Sequence, residues 1–129
     1  MSNTSARILA IDDDDAILSL LADALSPPHQ VATAQEWLDG VDLLMNQQFD
    51  LLIIDLGMPV FNSVEFVNKI RASPPYDRIP ILVISAYPQL RERLREFPVQ
   101  AILPKPFSLE NLTRTVAELL HGQPATMAA

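Results

Sequence analysis

Three stretches of this chain are apolar at nearly every position: RILAI (7–11), DLLII (50–54) and IPILVIS (79–85). A strand with one wet face alternates apolar and polar residues, because successive side chains point to opposite sides of the sheet. Unbroken apolar series belong instead to strands covered on both faces. That requirement points to a parallel sheet between two layers of helices. Two weaker strands complete the set, QVATA (30–34) and QAIL (100–103).

Between these runs the apolar spacing becomes helical. Ile17, Leu20, Leu21, Ala24 and Leu25 share one face, as do Trp37, Leu38, Val41, Leu44 and Met45, with Gly40 a mild flaw in the second helix. Phe66, Val67 and Ile70 mark a third helix. Leu90, Leu94 and Phe97 mark a fourth, starting near Pro88, and Leu109, Leu112, Val116, Leu119 and Leu120 a last one. The Trp37 ring and the Leu/Val stripes are expected to form the core. SPPH (26–29) and SPPYD (73–77) end the first and third helices, since proline lacks an N–H and restricts the residue before it. Ser108 is the expected N-cap of the last helix and Gly122 its stop. Alternating strands and helices give a doubly wound (βα)₅ α/β sandwich of three layers around a five-stranded parallel sheet. With 129 residues, 49% of them hydrophobic and 19% charged, the chain can build one such domain. We read it as residues 6–121, with 122–129 a flexible tail or the start of a linker. A stand-alone domain is the simplest reading.

Charge and composition narrow the chemistry. A formal net charge of −7 argues against phosphate-backbone contacts and fits a cation or a basic protein partner. The absence of cysteine excludes disulfides, thiolate zinc sites and cysteine nucleophiles. The N-terminal stretch lacks the pattern of a signal peptide, and no run approaches the roughly 18 apolar residues of a membrane span. The expected location is the cytoplasm, without membrane insertion. His29 and His121 stand in no ligand constellation and read as surface residues. The mixed charges of RERLRE (91–96) read as a solvated face or a partner surface.

The first strand runs into four consecutive aspartates, Asp12 to Asp15. Adjacent carboxylates repel one another, so a folded domain needs a reason to hold them. Ligands of open parallel sheets bind beyond the carboxyl ends of the strands. Asp12 and Asp13 end strand one, Asp55 strand three, Ser85 strand four, and Lys105 follows strand five. Three carboxylates without histidine or cysteine are hard oxygen ligands, suited to Mg²⁺ or Mn²⁺. Asp14 and Asp15 fall at the first helix start, where acids meet free N–H groups and the positive end of the dipole. An ammonium and a hydroxyl, Lys105 and Ser85, suit a phosphoryl group. Asp55, at the sheet centre, is the natural nucleophile, able to form an acyl phosphate.

With these residues in place, the chain resembles the receiver domains of two-component response regulators. The motifs are the strand-end pair Asp12 and Asp13, LLIIDLGMP with Asp55 and Met58-Pro59, ILVISA with Ser85-Ala86, and KPF (105–107), in family order over roughly residues 6–121. The resemblance implies a flavodoxin-like sheet of order 2-1-3-4-5. It implies that Asp55 accepts phosphate from the phosphohistidine of a sensor histidine kinase or histidine phosphotransfer protein, and later loses it by autodephosphorylation. Asp12, Asp13, Asp55 and the Gly57 backbone carbonyl would hold Mg²⁺, while Ser85 and Lys105 bind the phosphoryl group. A cis Lys105–Pro106 peptide is implied too. So is a downstream protein target on the face formed by the fourth helix, the fifth strand and the last helix. This sequence departs from the family at three places. Ile102 stands where an aromatic residue is usual, Ser63 where glycine is usual, and the span from Ser85 to Lys105 is slightly short. Switching is therefore expected to run through residues 86–90 and the fourth helix, with Tyr87 as reporter.

Two other functions compete. LAIDDDD also resembles the start of haloacid dehalogenase-type phosphatases, with Asp12 as nucleophile and Asp14 as acid. Those enzymes need an acidic pair after the lysine, where this chain has only Glu110 and Glu118, inside the last helix. That reading also leaves Asp55 without a role. A degenerate receiver acting as an unphosphorylated binding module is the other. A dinucleotide or P-loop site is excluded, because three scattered glycines build no phosphate cradle.

Overall fold

The computed structural model describes residues 5–55, 63–86 and 99–122. The continuous apolar runs form strands, and the helically spaced segments pack on both faces of the sheet. Strands β1 (Arg7–Ile11), β2 (Gln30–Ala34), β3 (Leu51–Asp55), β4 (Ile81–Ser85) and β5 (Ala101–Pro104) pair in parallel in the order β2-β1-β3-β4-β5. Helices α1 (Asp15–Leu25), α2 (Trp37–Asn46) and α3 (Ser63–Arg71), and a C-terminal helix (Leu109–Leu120), cover it. β1 and β2 have the bounds expected from sequence, β3, β4 and β5 differ from them by one or two residues, and Asp55 belongs to its strand. SPPYD (73–77) leads into a single 3₁₀ turn, Tyr76–Arg78. The expected fourth helix with Leu90, Leu94 and Phe97, the RERLRE segment, Gly57, Met58-Pro59, Tyr87 and the tail 123–129 lie outside the described residues.

The unbroken apolar runs divide between two cores by simple alternation. Leu9, Ile11, Leu52, Ile54, Val83 and Ile102 face α2 and α3, where Trp37, Leu44, Phe66 and Ile70 pack. Ile8, Ala10, Ile53, Leu82, Ile84 and Leu103 face α1 and the C-terminal helix, where Leu18, Leu21, Leu112 and Val116 pack. Each fully buried aliphatic side chain contributes about 1.5–3 kcal/mol of transfer free energy, so every strand stabilises both layers at once. Ile102 lies 2% exposed within the first core.

Several helix assignments change. On α1 the buried residues are Leu18, Leu21 and Leu25, while Leu20 faces solvent. On α2, Leu38 and Met45 are exposed, and Leu109 is exposed at the start of the C-terminal helix. The expected helical spacing holds, with its phase shifted by part of a turn. Asp14 is the N-cap of α1, its side chain accepting from the Ala16 N–H at 2.9 Å, and Asp15 is the first helical residue. Ser108 caps the C-terminal helix by accepting from Asn111, and Gly122 follows it at φ +73°, a conformation that favours glycine. His29 is not a plain surface residue. It is half-buried, its Nδ1 accepts from the Ala6 backbone N–H at 3.1 Å, and burial pushes its pKa down. The imidazole must be neutral at Nδ1 to accept that bond.

Gly40 is not a flaw in α2 but the reason α2 lies so close to the sheet. A Cβ there would sit 2.4 Å from Ile11 Cδ1 and 3.0 Å from Cγ1. Ile11 is 1% exposed, so its side chain has little room to retreat. Overpacking of this kind costs about 1–3 kcal/mol, and alanine recovers up to about 1 kcal/mol in helix propensity. Gly40→Ala is therefore expected to destabilise the domain by about 1 kcal/mol net. Ile11→Val removes the clashing methyl and should cost less in the Gly40→Ala background than in the parent chain. Chemical denaturation of the four proteins measures this coupling; equal costs would contradict the close-approach account. Asp14→Ala should cost about 1 kcal/mol through the lost cap, and Asp15→Ala only a few tenths through the dipole, measured the same way.

Candidate functional site

Strand register assembles the site. Ile11 pairs with Ile54, so the residues that follow them, Asp12 and Asp55, emerge side by side from β1 and β3. Asp55 pairs with Ile84, which places Ser85 one step further along β4, and Ser85 pairs with Pro104, which places Lys105 one step beyond β5. The strand ends thus form a staircase at one edge of the sheet. Parallel bonding continues one residue past β1, Asp12 N–H to Ala34 C=O of β2 at 3.1 Å, and past β5, Lys105 N–H to Ser85 C=O of β4 at 2.8 Å. The Lys105–Pro106 peptide is cis, as the resemblance implied.

The four aspartates divide their work. Asp12 is 2% exposed, and its Oδ1 accepts the Asp14 backbone N–H at 2.9 Å. Its Oδ2 faces Lys105 Nζ at 3.2 Å. The same ammonium lies 3.5 Å from Oδ1 of Asp55, which is 5% exposed. Asp13 is exposed, yet a carboxylate oxygen from each of Asp12, Asp13 and Asp55 lies within 4.8 Å of the others. Asp14 caps α1 and Asp15 enters its first turn. Two acids therefore serve the helix and two face the site. Ser85 is buried at 3% exposure beside this group.

Electrostatics follow from burial. Desolvation pushes the Asp12 carboxyl above its ordinary range; the Asp14 N–H opposes the rise, the Asp55 charge adds to it, and Lys105 opposes it. For Lys105, burial works against the charge, but the Asp55 and Asp12 carboxylates outweigh it and hold the ammonium above its usual pKa. Two carboxylates and one ammonium leave the edge with a surplus negative charge, open to an added cation. Hard oxygen donors at this spacing fit Mg²⁺ or Mn²⁺. Asp12, Asp13, Asp55, Ser85 and Lys105 are thus brought to one edge, and Gly57 lies outside the described residues. The capping role expected at Asp14 and Asp15 falls to Asp14, while Asp15 is the first helical residue. The signal for that cap is an aspartate three positions before Ile17, where the apolar stripe of the helix starts.

Comparison with known proteins gives a consistent result. The response regulator receiver domain family matches residues 8–117. The sensor histidine kinase TmoS of Ectopseudomonas mendocina is 36% identical over 116 residues, 88% of this chain and 12% of that protein. The response regulator MprA of Mycobacterium tuberculosis is 34% identical over 120 residues, 91% of this chain and 51% of that protein. The chain thus spans at most about half the length of these curated relatives. The chemotaxis response regulator CheY4 of Vibrio cholerae superposes with a TM-score of 0.81 at 28% identity, covering 89% of this chain and 98% of that one. The receiver domain of a Pseudomonas aeruginosa sensor histidine kinase, solved with magnesium in its active-site cleft, shares the fold with a TM-score of 0.81 at 22% identity, covering 91% and 98%.

The raised Asp12 pKa has a definite sign. A carboxyl whose folded pKa lies above its unfolded value binds more protons when folded, so its penalty is absent below the unfolded pKa near 3.8 and appears as pH rises through the folded value. Asp12→Asn keeps a carbonyl oxygen for the Asp14 N–H and removes the buried charge; Lys105 loses its Asp12 acceptor but keeps Asp55 at 3.5 Å. The substitution should raise the melting temperature at neutral pH in metal-free buffer. The gain should vanish as pH falls below about 3.8. Thermal melts across pH check this, and an Asp12→Asn domain less stable than the parent at pH 7 would contradict it.

Proposed function

The chain belongs to the response regulator receiver domain family, and on that premise we propose that it takes a phosphoryl group onto Asp55 from a phosphohistidine. The donor is a sensor histidine kinase or a histidine phosphotransfer protein. The observation that carries this reading is the buried arrangement of Asp55 with Lys105 Nζ at 3.5 Å and Asp12 beside it. An Asp55 oxygen attacks phosphorus, the P–N bond of the donor breaks, and the donor imidazole leaves and picks up a proton. Lys105 meets the charge that develops on the equatorial oxygens, and Ser85 donates its hydroxyl to one of them. The sheet edge supplies orientation and charge complementarity, which is most of what phosphoryl transfer requires.

Asp12, Asp13 and Asp55 would hold the divalent cation, with the Gly57 carbonyl as a further ligand. When bound, Mg²⁺ supplies neutralisation of phosphoryl charge. Removal of any one of the three carboxylates should weaken binding. The magnesium-bound Pseudomonas aeruginosa receiver supports this reading through the shared fold. Its relatives include a sensor histidine kinase and response regulators, which supports a place in two-component signalling and a kinase partner. Hydrolysis of the acyl phosphate at Asp55 would reset the domain. We take the receiver unit to run over 6–121, with the signal leaving through residues 86–90 and the helix expected after them, because Ile102 is packed in the core and β-branched, hence stiff at χ1.

Incubation with acetyl phosphate and Mg²⁺ should add the mass of one phosphoryl group, about 80 Da, in intact-protein mass spectrometry. Asp55→Asn should abolish the adduct and Lys105→Ala should slow its formation at least tenfold, as expected when a charge partner of the transition state is removed. An Asp55→Asn protein that still gains this mass would overturn the assignment.

A further inference from the structure

We propose that the outward face of α2 docks a basic amphipathic helix from a partner protein. Leu38 is 75% exposed and Met45 80%, well above the 37% of Leu20 and 48% of Leu109, the other exposed large apolar side chains among the described residues. Positions 38 and 45 are two turns apart and so lie within about 20° of one another around the helix axis. Val41, half-buried, lies between them and joins the stripe to the core. The core face of α2 is already filled by Trp37, Gly40 and Leu44, so Leu38 and Met45 add nothing to the fold that a polar residue would not. Single exposed apolar residues are ordinary, but an aligned pair at positions i and i+7 with an apolar residue at i+3 is the spacing by which helices anchor to one another.

The surroundings select the partner. Met45 also borders an open cleft of about 600 Å³ at the C-terminal end of α2, lined on one side by Leu44, Pro75 and Tyr76 and on the other by the polar Asn46 and Gln47. Asp42 adjoins the stripe, about 40° from Leu38 around the axis; Asp39 and Glu36, also exposed, lie further round, and α2 carries no basic residue. Arg7 lines the same cleft, but its guanidinium donates to Gln47 and lies 5.7 Å from the centre of the Phe49 ring, so it is engaged within the domain. A second copy of this chain would bring the same acidic fringe and a net charge of −7. A nucleic acid would be repelled for the same reason. A helix with leucines on one face and lysines or arginines beside them satisfies both the stripe and its fringe.

The probe is a synthetic amphipathic peptide of leucine and lysine in heptad spacing, with a leucine–glutamate peptide of the same pattern as control. Both are titrated into the unphosphorylated protein and followed by amide NMR. We expect shifts centred on residues 37–46. Leu38→Ser with Met45→Ser should weaken the affinity roughly tenfold or more, since both apolar contacts are lost. Asp39→Asn with Asp42→Asn should weaken it and flatten its salt dependence, and Leu109→Ser should leave it unchanged. Both serine changes fall on exposed positions, and an unchanged melting curve confirms the fold. Equal affinity for the glutamate peptide, shifts centred on Leu20 or Leu109, or an unaltered affinity in the Leu38/Met45 variant would overturn the proposal. A dimer in sedimentation that this variant dissolves would also overturn it, assigning the stripe to a second copy.

Discussion

Two carboxylates, Asp12 and Asp55, are buried side by side at the carboxyl edge of the sheet, and the Lys105 ammonium lies within ion-pair distance of both. Much of the rest of the structure is arranged around that contact. Buried charges carry a desolvation cost of several kcal/mol per ion that only well-placed partners offset. Lys105 reaches them from the far end of the chain in sequence, 93 residues after Asp12. It can do so because β4 and β5 carry its backbone to the same edge and pin it there through the Ser85 carbonyl. The balance is incomplete by design of the charges present: one cation against Asp12, Asp13 and Asp55. The residual field is what an added cation answers, and a phosphoryl group arriving with that cation meets Lys105.

The parallel register turns this chemistry into geometry. Each strand ends about one residue later than its neighbour, from Asp55 to Ser85 to Lys105, so groups scattered along the sequence converge without any long loop among the described residues. The sheet can hold such a site only because its own interior is apolar on both faces. Close approach of α2 depends on Gly40, whose missing side chain leaves room for Ile11 in the neighbouring strand. The core and the site are thus linked at one point, because Ile11 is the residue before Asp12. A shift of β1 to relieve a clash at Gly40 would move the first carboxylate of the site.

Much of this was legible in residue order. Strands reveal themselves here because burial on both faces leaves no polar position, and strand ends reveal themselves because acids follow apolar runs directly. The site residues were recoverable because an α/β sheet collects its strand ends on one side. Helix faces were less legible. Spacing alone gives the period of an amphipathic helix but not its phase, so Leu20, Leu38, Met45 and Leu109 read as core while Leu18 was passed over. The phase is set by how each helix docks on the twisted sheet, which is a long-range property. His29 read as a surface residue because its acceptor role depends on Ala6, 23 positions away in the chain.

By itself, then, the sequence determined the two-sided burial of the strands, the alternation with helices, the surplus of negative charge and the residue types available for phosphoryl chemistry. These are local matters of polarity, spacing and chemical identity. Only the tertiary structure decided that Lys105 bridges Asp12 and Asp55, and that Gly40 lets α2 settle against Ile11. It also decided that Leu38 and Met45 stay in water. Each of these is a distance or an orientation between groups that the chain brings together only when both layers close on the sheet, and no local pattern encodes such a distance.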